Sequence, residues 1–188
     1  MKKLLLILLS VILFGCSENR VLIDELTNKG TKESPLMFYE SGLFNGIAYD
    51  VYENGQLEYE KNYKDGELDG VRKYWYENGQ LWSQSNYKGG ERDGIYKGWY
   101  ENGVLMQQKN FKNDELDGIY KDWHENGQLR NETDYTNGEW NGKLIDYFEN
   151  GQLSSQSNYK GGKMDGIYKG WYENGVLNVE SNYKDGER

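Results

Sequence analysis

Few residues in this chain could do chemistry, and their spacing argues against it. The 188 residues contain one histidine, His124, and one cysteine, Cys16. A hydrolytic triad needs a histidine beside an activated nucleophile, and no serine elbow motif is present. A zinc site needs several histidine or cysteine ligands, which one of each cannot supply. The segment Asp65-Gly66-Glu67-Leu68-Asp69-Gly70 partly spells a calcium loop, but its twelfth position is Tyr76 where a bidentate glutamate belongs. The equivalent first residue in another copy is Gly89, with no carboxylate at all. These acidic pairs read as turn-forming aspartates beside glycine, and their recurrence as solvated turn residues argues against a glycosidase couple. No catalytic residue, metal ligand or cofactor is expected, and the chain is not expected to be an enzyme.

What positions these residues is a repeat of 24 residues. The spelling YENGQL begins at Tyr52 and Tyr76, YENGVL at Tyr100 and Tyr172, HENGQL at His124 and FENGQL at Phe148. His124 therefore stands in a ring column and reads as a packing substitution. A second column holds Asn45-Gly46, Asp69-Gly70, Asp93-Gly94, Asp117-Gly118, Asn141-Gly142 and Asp165-Gly166. A third holds Tyr63, Tyr87, Phe111, Tyr135, Tyr159 and Tyr183, and a fourth Trp75, Trp99, Trp123, Tyr147 and Trp171. Residues 83–104 and 155–176 are identical except at two positions, which points to duplication of a block.

Fixed-period self-similarity signals a repeat architecture. Each copy has two extended segments rich in aromatic and β-branched residues, and no segment shows helical periodicity longer than a turn. The loop Glu77-Asn78-Gly79 fits a type I turn closed by a left-handed glycine, and the Asp-Gly pair is expected to start the next strand after a looser turn. The expected fold is all-β: an elongated, twisted, single antiparallel sheet of tandem β-hairpins. Six hairpins plus a strand near Leu36–Tyr39 give 13 strands, about 60 Å of sheet at ~4.8 Å per strand. Pairing Trp75 with Leu81 puts Val71, Lys73, Trp75, Leu81, Ser83, Ser85 and Tyr87 on one face, which is assigned to packing between repeats. Arg72, Tyr74, Tyr76, Trp82, Gln84 and Asn86 then share the other, more variable face. An isolated hairpin is marginal in water, so stability must come from stacking.

Residues 1–15 belong to another regime. Lys2 and Lys3 precede an apolar run from Leu4 to Phe14, too short to span a hydrocarbon core that needs roughly 20 residues, so the stretch reads as a signal peptide. LFGC resembles the lipobox of bacterial lipoproteins, although phenylalanine at its second position is atypical. The resemblance implies that Cys16 carries a lipid anchor, which places the chain in the cell envelope, at the outer membrane or cell surface. Residues 16–35 are read as a lipidated N-terminus and tether, and 36–188 as the array, with a partial unit over 36–45 and six hairpin units from about 46 to 183. Loss of Lys2 and Lys3 leaves 20 basic residues, 22 less two, against 31 acidic ones, and takes the formal charge from −9 to −11. A field of that sign disfavours nucleic acid and anionic lipid headgroups at long range. The last strand leaves an open edge, where self-association by strand addition is conceivable under the guard of Lys184, Asp185 and Glu187.

The DGxYKxWYENGxL spelling resembles the MORN family, specifically the variant called MORN_2, over residues 36–188. Chains of such repeats resemble the YwqK family of antitoxins or immunity proteins, some of them lipoproteins. The resemblance implies binding to a protein partner, a toxin among the candidates, and not catalysis; a kinase reading fails because no phosphate-cradling loop or kinase-sized segment is present. WYENG is also similar to the aromatic-glycine repeats of choline-binding and glucan-binding proteins, which makes a cell-wall or glycan binder the alternative. The residues expected to meet a partner are Arg72, Tyr76, Trp82, Tyr96, Tyr100, Tyr120, His124, Tyr168 and Tyr172, because tyrosine offers contact area at low entropic cost and arrays present extended surfaces.

Overall fold

The computed structural model of the protein describes residues 19–31 and 35–188; the signal peptide and Cys16 lie outside the described residues. The six copies fold as six hairpins in one long sheet. Their strand pairs are Gly46–Val51 with Leu57–Lys64, Glu67–Trp75 with Leu81–Lys88, Gly94–Trp99 with Leu105–Lys112, Gly118–Trp123 with Leu129–Thr136, Glu139–Tyr147 with Leu153–Lys160, and Gly166–Trp171 with Leu177–Tyr183. Each of these strands pairs antiparallel with its neighbours in sequence, so the array is a continuous meander. Among the described residues the one helical turn is Ile23–Glu25.

Two kinds of turn alternate along the two margins of the sheet. On one margin the Tyr-Glu-Asn-Gly-Gln loop closes as expected: Gly79 N donates to Tyr76 O at 2.9 Å and Tyr76 N to Gln80 O at 2.8 Å, with Gly79 at φ +83°. Asn78 locks the loop by accepting from Gln80 N at 2.9 Å. On the other margin the connection is not loose. Asp65-Gly66, Asn113-Asp114 and Asn137-Gly138 have positive φ at both residues, the signature of a tight two-residue hairpin whose twist matches its strands. The glycine of the Asp-Gly pair starts a strand as expected at Gly94, Gly118 and Gly166, but in the second and fifth hairpins the pair is a bulge inside a continuous strand: register jumps from Lys61↔Arg72 to Tyr63↔Leu68, and Gly70 takes φ +104°.

A second bulge corrects the expected faces. Trp75 pairs with Leu81 as anticipated, but Tyr74 pairs with Ser83, so Trp82 has no partner opposite it. Since alternation has a period of two, one extra residue moves Ser83, Ser85 and Tyr87 onto the side of Arg72 and Tyr74. Gln84 and Asn86 join Val71 and Lys73. We call the first side the tyrosine face and the second the isoleucine face. The column assigned to packing proves open: Ile95, Ile119 and Ile167 are 43%, 40% and 47% exposed. Among the most closed positions of the repeats are small hydroxyl residues, Ser85 at 3%, Thr133 at 3% and Ser157 at 2%.

Residues 19–31 do not behave as a tether. Arg20–Leu22 runs parallel to Gly46–Val51 and supplies the thirteenth strand of the main path. Met37–Tyr39, expected to be that strand, pairs instead with Leu26–Asn28 and Gly42–Leu43 in a separate three-stranded sheet. These segments close over the first hairpin. Val21, Met37, Phe44, Ala48 and Tyr63 form the buried apolar cluster of the described residues, with Phe44 1% exposed between Tyr39 and Tyr63. A repeat array needs such a cap, because its terminal unit otherwise leaves an apolar surface uncovered. Phe44→Ala should therefore cost about 3–5 kcal/mol in urea unfolding, and Ile167→Ala under about 0.5 kcal/mol, since only the first leaves a cavity.

Candidate functional site

The tyrosine face is built of three rows running across the strands. Nearest the tight turns, the glycine column lies directly opposite the ring column: Gly46↔Tyr63, Gly70↔Tyr87, Gly94↔Phe111, Gly118↔Tyr135, Gly142↔Tyr159 and Gly166↔Tyr183. A ring beside each glycine covers backbone that the missing side chain would expose. The middle row contains Lys61, Arg72, Ser85, Tyr96, Lys109, Tyr120, Thr133, Ser157 and Tyr168. The third, toward the Glu-Asn-Gly margin, contains Tyr59, Tyr74, Ser83, Gln107 and Asp122. Rings meet across strands, Tyr59 with Tyr74 at 5.6 Å and Trp140 with Tyr159 at 4.9 Å between centroids. The first pair is tilted and the second edge-on, and such ring pairs contribute about 0.5–1.5 kcal/mol beyond burial.

The nine predicted contact residues divide into groups. Arg72, Tyr96, Tyr120 and Tyr168 stand together in the middle row of the tyrosine face. Trp82 is the unpaired bulge residue, 44% exposed, with its ring 5.7 Å from Tyr74 and 6.3 Å from Tyr76. Tyr76, Tyr100, His124 and Tyr172 line the margin, where the column does structural service. Tyr52 Oη donates to Trp75 O at 2.6 Å, Tyr76 Oη to Trp99 O at 2.8 Å, and Tyr100 Oη to Trp123 O at 2.8 Å, each reaching one unit forward. His124 puts Nε2 3.4 Å from Tyr147 O, and its Nδ1 lies 3.9 Å from Glu149. Tyr172 is 54% exposed. A parallel ladder of asparagines joins the loops: Asn54, Asn78, Asn102, Asn126 and Asn150 donate to the carbonyls of Glu77, Glu101, Glu125, Glu149 and Glu173.

Two features escaped the sequence reading. Skipped residues recur at Glu58, Trp82, Met106, Arg130, Ser154 and Asn178, one per hairpin, each without a residue opposite. It is a highly variable column of the repeat, and a bulge re-aims its side chain away from the ladder. Its variability was the available signal; strict alternation hid it. The second is Lys61 and Lys109, which the shifted register brings to the same face as Arg72, Lys61 directly opposite it.

Burial sets the electrostatics of this face. Tyr63 is pushed up to about 12, by burial first and then by Tyr74, with Arg72 opposing. Tyr120 is pushed up to about 12 by burial and then by Asp122, whose Oδ2 accepts from its hydroxyl at 3.1 Å. Lys61 and Lys109 are both lowered, by burial first. Among the described residues no group of three or more histidine, cysteine, aspartate or glutamate side chains is arranged to hold a metal ion.

Consecutive antiparallel hairpins of fixed period, each sealed to the next by backbone and turn side chains, define a tandem β-hairpin repeat protein. The MORN repeat variant matches residues 44–65, 68–88, 92–113, 116–137, 140–160 and 164–185, more than half of the chain, and the chain belongs to that family. A search of curated proteins returned no match.

Two predictions come from these ladders. Tyr76→Phe and Tyr100→Phe should each cost about 0.5–1.5 kcal/mol in urea unfolding, because Phe148 already shows that the ring fits without its hydroxyl. Tyr172→Phe should change nothing measurable. Raised folded-state values for Tyr63 and Tyr120 mean that their contribution is fully present below pH 10, the ordinary tyrosine value, and is lost as pH rises through about 12. Stability followed by circular dichroism should fall across that window, with tyrosinate absorbance completing its rise only as the strands unfold.

Proposed function

We propose that the chain is a lipid-anchored envelope protein that binds another protein through its tyrosine face, and that the partner is a toxin which binding neutralises. Support for binding comes from the way the array uses its residues. The columns that repeat most faithfully make turns, ladders and ring-on-glycine contacts, whereas the bulge column varies from unit to unit while the backbone stays constant. Trp82 carries the reading furthest, being a large ring left 44% exposed with no residue opposite it in the ladder. Aromatic anchors on a rigid sheet are what protein interfaces concentrate their affinity in. Family membership accords with a binding role. The toxin is proposed from the resemblance to immunity proteins, and the anchor from the lipobox ending at Cys16.

Crosslinking in the native cell followed by mass spectrometry tests the reading. The expected product is one protein partner, and Trp82→Ala should weaken its binding by roughly tenfold or more, the loss of about 2 kcal/mol typical of an exposed aromatic anchor. Co-expression with that partner should restore growth where the partner alone inhibits it. Retention on purified peptidoglycan or polysaccharide, with no protein crosslinked, would favour the glycan alternative and overturn the proposal. Cys16→Ser should abolish lipid labelling and move the chain from the membrane to the soluble fraction.

A further inference from the structure

The middle row of the tyrosine face departs from its own repeat in the first half of the array. At one position of this row four hairpins carry Ser85, Thr133, Ser157 and Ser181, but two carry Lys61 and Lys109. At the facing position three carry Tyr96, Tyr120 and Tyr168, and the second carries Arg72. Lys61 and Arg72 are direct cross-strand partners, an arrangement of like charges that destabilises a sheet.

None of the three cations makes an ion pair among the described residues, although Glu58 and Asp50 act on Lys61, and Asp122 on Lys109, from longer range. The ion pairs of lysine and arginine among the described residues are made by Arg20, Arg92, Lys121, Arg130, Lys169 and Lys184. Lys61, Arg72 and Lys109 rest on rings instead. Lys61 Nζ lies 4.1 Å from the Tyr59 centroid, Arg72 Cζ 4.6 Å from that of Tyr87, and Lys109 Nζ 5.5 Å and 5.4 Å from Tyr96 and Tyr120. Arg72 Nε is buried with no hydrogen-bond partner, the one such side-chain atom among the described residues. A buried polar group left unpaired is costly, and ring contacts offset that only in part. Burial first, and then Arg72, lower the Lys61 ammonium, so Asp50 and Glu58 nearby do not compensate for it. A chain with 31 acidic residues against 22 basic ones has no shortage of carboxylates, yet among the described residues none is ion-paired with these cations.

We propose that Lys61, Arg72 and Lys109 form a docking tract for carboxylate side chains on an acidic, extended segment of the partner protein. The proposal rests on the protein-binding reading above and names the chemistry of the segment bound. Arginine's planar fork suits a carboxylate, and the rings beside it suit the segment's apolar groups. Arg72 and Lys109 are three strands apart, about 14 Å, which an extended peptide crosses in about four residues. Two acids four positions apart therefore fit the tract. A phosphate-rich polymer or an anionic membrane fits worse, because its extended charge meets the negative field of the whole chain.

The test uses the full chain and a fluorescein-labelled twelve-residue peptide with two glutamates four positions apart, read by fluorescence anisotropy at low salt. Replacing both glutamates by glutamine should weaken binding at least tenfold, and so should the triple variant Lys61→Gln, Arg72→Gln, Lys109→Gln. The triple variant's urea midpoint should be unchanged or raised, since it removes unpaired charge. If that midpoint falls, Lys109→Gln alone carries the comparison, because serine or threonine fills its position in other units, and at least threefold weaker binding is expected. Equal binding of the glutamine peptide overturns the proposal. So does stronger, tract-dependent binding to vesicles containing phosphatidylserine. A crosslinked partner retained undiminished by the triple variant would leave the protein-binding reading standing and remove the carboxylate tract alone.

Discussion

Hydrogen bonding between neighbouring strands is the constraint on which the rest of the structure depends. A hairpin of this kind buries too little to persist in water, and it leaves a row of unpaired donors and acceptors on each edge. In the array, every internal edge is paired with the adjoining unit, and the two margins repeat that pairing outside the strands. On one margin, tyrosine hydroxyls and asparagine amides reach one unit forward. On the other, each tight turn donates backward, as when Gly90 N reaches Leu68 O at 2.8 Å and Gly138 N reaches Leu116 O at 2.8 Å. The sheet is therefore clamped along both sides as well as through its middle. That is why six copies of one turn are kept: each spelling closes its own loop and also holds its neighbour.

Because a single sheet has no second layer, its packing must be found within its own face. Rings lie opposite glycines and small hydroxyl residues are among the most buried of the repeats, so burial is achieved within the face. Only at the N-terminal end of the described array do residues 19–31 and 35–44 fold over the first hairpin and form an apolar cluster. Stability is accordingly concentrated at the cap and passed along the array by contact. Side chains that the ladders do not use, the bulge column and the unpaired cations, are the ones the fold leaves free to vary.

Much of this was legible in the sequence. The period, the hairpins, the left-handed glycine of the Glu-Asn-Gly loop and the Trp75 to Leu81 register all follow from local turn chemistry and from repetition. The faces were not legible, because a bulge inserts a residue without any compositional mark; Trp82 looks like any other strand residue until its pairing is seen. The same slip hid the cationic row, since alternation placed Arg72 and Ser85 on opposite sides. The cap was missed for a different reason. Arg20–Leu22 and Met37–Tyr39 carry no repeat, and three-residue strands are fixed by the tertiary surface they cover and not by their own propensity.

The most direct test of the central claim is residue-resolved amide hydrogen exchange on the intact chain under native conditions. If each hairpin is held by its neighbours, protection should be greatest in Gly46–Lys64 beneath the cap and decline unit by unit toward Leu177–Tyr183. Equal protection in the first and last hairpins, or blocks that open independently of the units beside them, would contradict it.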